Sequence, residues 1–144
     1  MKINRATDYG IRLMMYLAAR PGTIVPRAEV AQKMAIPAEF LAKIAQLLAK
    51  AGFIEIRKGR AGGYILARDP SQITLLELVE ALEGEISLNL CVERPEACSF
   101  SPTCKVHLVW QAARKGLRDF LASIRLTDLI EKSENSKKSK QEVG

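Results

Sequence analysis

Residues 53–67, FIEIRKGRAGGYILA, decide how this chain folds. Phe53-Ile54-Glu55-Ile56-Arg57 is β-branched and apolar, Lys58-Gly59-Arg60-Ala61-Gly62-Gly63 is a basic glycine-rich turn, and Tyr64-Ile65-Leu66-Ala67 reads as a returning strand. The glycines do not form a phosphate-binding loop. No Lys-Ser or Lys-Thr follows them, and strands flank them on both sides. The expected purpose is a close backbone approach to a nucleic-acid groove with Arg57, Lys58 and Arg60 projecting, since cations at a hairpin tip suit the narrow, electronegative minor groove; a merely solvated basic hairpin is the alternative.

Upstream of the hairpin, residues 37–51 open on Pro37, and Gly52 closes them where a helix C-terminus prefers glycine. Phe40, Leu41, Ile44, Leu47 and Leu48 fall on one stripe expected to be buried, leaving Glu39, Ala42, Lys43, Gln46 and Lys50 outside. A shorter helix over residues 26–34 starts at Pro26, and Ala35-Ile36-Pro37 makes a tight turn between the two. Short helix, three-residue turn and longer amphipathic helix match a helix-turn-helix, and equally an ordinary helical hairpin. The β-hairpin that follows favours the first, because a hairpin in that place is a wing. Residues 5–19 supply a supporting first helix, with Tyr9, Leu13, Tyr16 and Leu17 inward and Asp8 and Arg12 as a surface pair.

Downstream, Thr74-Leu75-Leu76-Glu77 is a capping box for a fourth helix ended by Gly84, with Leu75, Leu76, Val79 and Leu82 expected inward. From Lys105, the residues Val106, Trp110, Ala113, Leu117, Phe120 and Ile124 alternate in steps of four and three, a heptad seam. A helix so long and so striped needs a partner; it could lie against its own winged domain, but its length makes a second copy of the chain the expected one. The reading is thus mainly α with a small β-hairpin wing. Residues 1–83 form a winged helix-turn-helix, 84–104 a ligand loop, 105–131 a dimerisation helix, and 132–144 a lysine-rich, disordered tail.

Composition agrees with this division. The chain has 144 residues, 48% of them apolar, and a net charge of +6. Residues 1–68 carry twelve Lys or Arg against four acids, giving +8, while residues 69–131 carry six against ten, giving −4. The basic half is the electrostatic footprint of a nucleic-acid-binding module. No apolar run reaches the length of a membrane span and no signal-like segment opens the chain, so a cytoplasmic location without a membrane partner is expected.

All three cysteines and the one histidine lie together as Cys91-x6-Cys98-x5-Cys104-x2-His107, in CVERPEACSFSPTCKVH. The surroundings are polar and lack an apolar period, so these are ligand candidates rather than core residues. The set suits an iron-sulfur or metal site. A structural Cys3His zinc site and a bare thiol sensor use the same residues. An electron carrier would leave the basic half without a purpose. An enzyme built on a Cys104–His107 nucleophile pair is not expected, since no orienting acid or substrate motif accompanies the pair.

In this order, ATDYGIR, IPAEFLAKIAQLLAKAGFI, RKGRAGGYILARDPSQIT and three cysteines before a long helix resemble the Rrf2 family of bacterial transcription regulators, which includes IscR, NsrR, RirA and CymR. The resemblance covers residues 1–131. It implies a winged-helix homodimer on a palindromic DNA operator, with an iron-sulfur cluster altering operator affinity. Cys91, Cys98 and Cys104 match the three ligating cysteines. The fourth ligand stays open: IscR-like members use a histidine corresponding to His107, implying 2Fe-2S, whereas NsrR-like members use an aspartate from the partner subunit, implying 4Fe-4S, and Asp8 stands at that place. Lys58 aligns with the family's minor-groove arginine but lacks its planar fork. Glu39, Ala42 and Lys43 occupy the base-facing positions, with Ala42 replacing a polar side chain found in IscR. Together with Arg27, Gln46, Arg57 and Arg60 these form the candidate DNA-contacting set.

Overall fold

The computed structural model describes residues 2–130. Three helices begin the chain: α1 (Arg5–Ala18), α2 (Arg27–Lys33) and α3 (Ala38–Lys50). The Asn4 side chain caps α1 by accepting from the Thr7 N–H at 3.0 Å, so one of the unpaired donors of the first turn is satisfied. Tyr9, Leu13, Tyr16 and Leu17 are buried as the helical spacing predicts. Asp8 and Arg12 form no ion pair; Arg12 instead donates to the Met34 carbonyl at 3.3 Å and lies over the Tyr9 ring. This fastens α1 to the end of α2. Tyr16 adds a second tie, donating its hydroxyl to Glu29 at 2.6 Å.

On α3 the buried residues are Leu41, Ile44, Ala45 and Leu48. The expected stripe is too wide by two positions, because Phe40 and Leu47 are exposed. Both sit at the rim of the helix face, where Phe40 finds only the edge of Tyr9, at 5.8 Å between ring centroids. Ala35, in the turn between α2 and α3, has φ 52°. A side chain in this left-handed region costs about 1–2 kcal/mol, whereas glycine loses only about 0.5–1 kcal/mol through chain entropy. Ala35→Gly is therefore expected to stabilise the fold by up to about 1 kcal/mol. A urea unfolding curve reads this as a higher midpoint at unchanged slope; a lower midpoint contradicts the strain.

Strands β1 (Ile54–Arg57) and β2 (Gly63–Leu66) pair antiparallel, with Ile54 opposite Leu66 and Arg57 opposite Gly63. Val25, before α2, adds a one-residue third strand. It exchanges both backbone hydrogen bonds with Tyr64 at 2.8 Å, which anchors the hairpin to the helices. Gly63 has to be glycine: it has φ 153°, and a Cβ there would lie 2.1 Å from the Val25 carbonyl oxygen.

Helix α4 (Leu75–Glu83) begins with the predicted capping box, the Glu77 N–H donating to Thr74 Oγ1 at 3.2 Å and the Thr74 N–H to Glu77 Oε2 at 2.9 Å. Burial pushes the Glu77 carboxyl up, but the Thr74 N–H and Arg68 outweigh it and hold it below the usual range. Leu78 and Val79 carry the buried face, Leu75, Leu76 and Leu82 are half-buried, and Gly84 ends the helix at φ 91°. Helix α4 packs closely on α1, where a Cβ on Gly10 would collide with Leu82.

A short helix α5 (Leu90–Glu93) and a 3-10 turn over Pro95–Ala97 carry the loop to α6 (Lys105–Ala122). The expected single helix over 105–131 is corrected here. It ends at Ala122, Ser123 donating its hydroxyl to the Phe120 carbonyl at 2.6 Å. Arg125 then forms an isolated antiparallel bridge with Thr74, with the Leu75 N–H donating to the Ile124 carbonyl and the Leu126 N–H to the Ile73 carbonyl. Asp128 accepts from the Arg125 N–H at 2.8 Å and opens a further helical segment at residue 126. Leu126 returns to the main core at 1% exposure. Residue 131 and the expected tail 132–144 lie outside the described residues. The chain has a winged-helix fold, mainly helical with one hairpin. Among the described residues, no helix is long and apolar enough to cross a membrane.

Candidate nucleic-acid interface and cysteine site

A groove runs between the outer face of α3 and the hairpin. Arg27 from the start of α2, Ala42 and Gln46 from α3, Arg57 from β1 and Lys58 from the turn line it, with Tyr64 at its floor. Five of the eight sequence candidates for DNA contact therefore meet on one surface. Glu39, Lys43 and Arg60 are exposed but do not line the groove. Arg57 is held by Glu55 at 2.7 Å, whereas Lys58 forms no ion pair among the described residues. Gly62 and Gly63 complete the lining on the hairpin side, where an added Cβ would collide with the backbone of Arg57 and of Val25 respectively.

Tyr64 is a groove residue that sequence reasoning took only for a strand. Burial holds its phenol above its ordinary value, against the opposing pull of Arg27. It stays protonated across the neutral range and keeps an O–H to donate. A signal was present, because Tyr64 follows a run of glycine at the base of the turn, where the strand leaves the groove for the core.

The cysteine loop is less tightly built. Cys91, Cys98 and Cys104 are all free thiols of intermediate exposure. Cys91 lies in α5, with its sulfur 3.4 Å from Asn89 Oδ1, and Cys104 occupies the N-cap position of α6 without a side-chain hydrogen bond to it. Cys98 and His107 share a cavity of about 400 Å³ with Glu96, Ser101 and Gln111. His107 is the one buried residue of α6, at 5% exposure, and its Nδ1 is buried without a hydrogen-bond partner. A buried imidazole nitrogen without a partner, on a histidine that lines a cavity together with a cysteine, suits a ligand role, since such atoms are ordinarily satisfied. The donor chemistry thus fits an iron or zinc centre. Among the described residues, however, no three of His, Cys, Asp and Glu are gathered closely enough to hold a metal ion. Asp8 is exposed in the first turn of α1.

Helix α6 presents apolar groups to solvent on its seam. Val106, Trp110 and Phe120 are exposed, as is Val109, which the heptad reading did not include. Leu117 and Ile124 are half-buried. Only one of the eighteen residues of α6 is buried, so its apolar seam lies outside this subunit's core.

Known proteins are similar to this chain over most of its length. NsrR of Bacillus subtilis, an HTH-type transcriptional regulator, is 31% identical over 137 residues, which is 94% of this chain and 94% of that protein. Among solved structures, T. potens IscR matches with a TM-score of 0.75 at 26% identity, covering 94% of this chain and 90% of that one. CymR, the global cysteine regulator of B. subtilis, matches with a TM-score of 0.72 at 26% identity over 91% of this chain and 97% of its own. The family model described as Rrf2, iron-dependent transcriptional regulator, matches residues 3–132. With its winged helix, its basic groove and this match along nearly its whole length, the chain belongs to the Rrf2 family and is a DNA-binding transcriptional regulator.

Proposed function

We propose that the protein is a cytoplasmic homodimer that binds a palindromic DNA operator and whose affinity depends on an iron-sulfur cluster. The observation that carries the DNA-binding part is the groove in which Arg27, Arg57 and Lys58, from three different elements, converge beside α3. In this reading the outer face of α3 enters the major groove and the wing turn lies against the adjacent minor groove. Glu39, Ala42, Lys43 and Gln46 face base edges, and Arg60 reaches the backbone. The exposed α6 seam joins two copies, so two recognition helices engage half-sites about one DNA turn apart, or a multiple of it. Lys58→Ala is expected to weaken binding several-fold and to lower the salt slope of log K by about one. Titrations at several salt concentrations read this directly, and an unchanged slope contradicts the role of the wing.

Cys91, Cys98 and Cys104 hold the cluster, with His107 or Asp8 of the partner subunit as fourth ligand. The buried, unpartnered Nδ1 of His107, a residue that lines a cavity together with Cys98, supports His107, and with it a 2Fe-2S cluster. When bound, such a group supplies a redox- and ligand-sensitive centre between the winged half and α6. Visible absorption with iron and sulfide counts on anaerobically purified protein tests the assignment. A brown protein with equal iron and sulfide supports it, and two irons per chain select 2Fe-2S over 4Fe-4S.

A second reading, a cluster-free thiol sensor, is favoured by one observation. All three cysteines are free, partly exposed and not gathered as a ligand set among the described residues. Colourless protein free of iron and zinc, with thiols that react with peroxide or a disulfide, would select it. Zinc in place of iron would select a structural Cys3His site.

A further inference from the structure

Two arginines of α6 connect parts of the molecule that are distant in sequence. The Arg114 Nε donates to the Ile86 carbonyl at 2.6 Å, and a terminal nitrogen of its guanidinium reaches Glu85 Oε1 at 2.7 Å. One turn further on, Arg118 pairs with Glu80 of α4 at 2.9 Å and approaches the same Glu85 oxygen at 3.8 Å. Arg114, Arg118 and Glu80 are only a quarter to a third exposed. Partly withdrawn from water, the network is screened less than a surface pair and tolerates misplacement poorly.

Its position gives it a task. The far end of α6 is tied to the winged domain by backbone bonds between residues 73–75 and 124–126. The near end, with Cys104 and His107, touches the cysteine loop. Glu85 and Ile86 are the root of that loop, immediately after Gly84, which ends α4 at φ 91°. On the other side, α4 is locked to α1 through Leu82 against Gly10. Arg114 is thus where the root of the loop is fixed to α6, and Arg118, one turn on, is where α6 is fixed to α4.

We propose that Arg114 is a positioning residue that couples the state of the cysteine loop to the winged domain, by pinning the loop root at Glu85 and Ile86 to α6 beside the Arg118–Glu80 pair. This rests on the iron-sulfur reading above. A rearrangement of the loop shifts residues 85–86, and the bidentate grip of Arg114 passes the shift to α6 and, through Arg118, to α4. Lysine at 114 could keep the charge but not the fork.

The test compares wild type with Arg114→Ala, each iron-loaded anaerobically and iron-free, on a duplex of about 30 base pairs enriched from a random library by the wild-type protein, long enough for two half-sites. Wild type is expected to differ between the two states by at least about fivefold, an ordinary coupling for a regulator, and Arg114→Ala by less than about twofold. Helicity, oligomeric state and iron content of the variant are expected to match wild type, which separates lost coupling from lost structure. If Arg114→Ala does not fold, Glu85→Gln decides. Its side chain is 71% exposed, so its removal spares the core while taking away the carboxylate both arginines share, and its ratio is expected to fall to less than half the wild-type value. A variant ratio equal to that of wild type overturns the coupling role. Equal affinities in the two wild-type states overturn the iron-sulfur reading and, with no state left to transmit, the coupling with it.

Discussion

Gly63→Ala is expected to abolish operator binding and to destabilise the fold by about 3 kcal/mol, near the upper end of what single substitutions cost. The added methyl would lie 2.1 Å from the Val25 carbonyl oxygen and 2.6 Å from its carbon, and both are backbone atoms. No rotamer change relieves such a clash, so the Val25–Tyr64 bridge has to open. That bridge fixes the hairpin to the start of α2, and without it Arg57 and Lys58 no longer stand opposite Arg27 across the groove. Gly59→Ala provides the control. Its φ of 100° is strained for alanine, but nothing lies within 4 Å, so the loss is confined to about 1 kcal/mol of backbone strain and binding persists. Chemical unfolding together with fluorescence anisotropy on labelled DNA separates the two. Equal effects of the two substitutions would contradict the anchoring role of the bridge.

Cys98→Ala is expected to bring the iron content to background and to remove the dependence of DNA affinity on iron supply. Cys98 and His107 line the same cavity, so losing the Cys98 sulfur removes one of the proposed ligands beside the buried imidazole. The wild-type difference between iron-loaded and iron-free protein, expected within the roughly 5- to 150-fold range of regulatory coupling, should vanish. Because Cys98 is only partly buried, the fold should remain, as circular dichroism can check. Wild-type iron content in this variant would contradict the ligand assignment.

The helix-turn-helix and wing were legible because local chemistry specifies them. Pro37 and Gly52 bound α3, and the glycine-rich turn between two β-branched runs allows little but a hairpin. The Thr74–Glu77 capping box was equally plain, since both of its hydrogen bonds join residues three apart. Other features depend on the third dimension. Val25 is a strand of one residue with no periodicity, and only its pairing with Tyr64 reveals it. Phe40 and Leu47 look like core in a helical projection, yet both are exposed in the folded chain.

The break in the last helix was hidden for a related reason. Ile124 continues the heptad spacing beyond the point where the chain leaves the helix, so periodicity alone extends α6 too far. The Asp128 side chain that caps Arg125 was the available sign. The candidate site was legible as chemistry but not as geometry. Four ligand-type residues within seventeen positions name the site, whereas the Arg114 grip on Glu85 and Ile86 spans 28 to 29 residues and has no sequence pattern.

The central claim is that occupancy of the cysteine site sets DNA affinity. Its most direct test is one preparation of the full chain, titrated onto the enriched duplex before and after anaerobic loading with iron and sulfide, with bound iron counted in each sample. The account predicts an affinity that changes at least about fivefold in step with bound iron. Bound iron with an unchanged affinity, or a protein that takes up no iron, would contradict it.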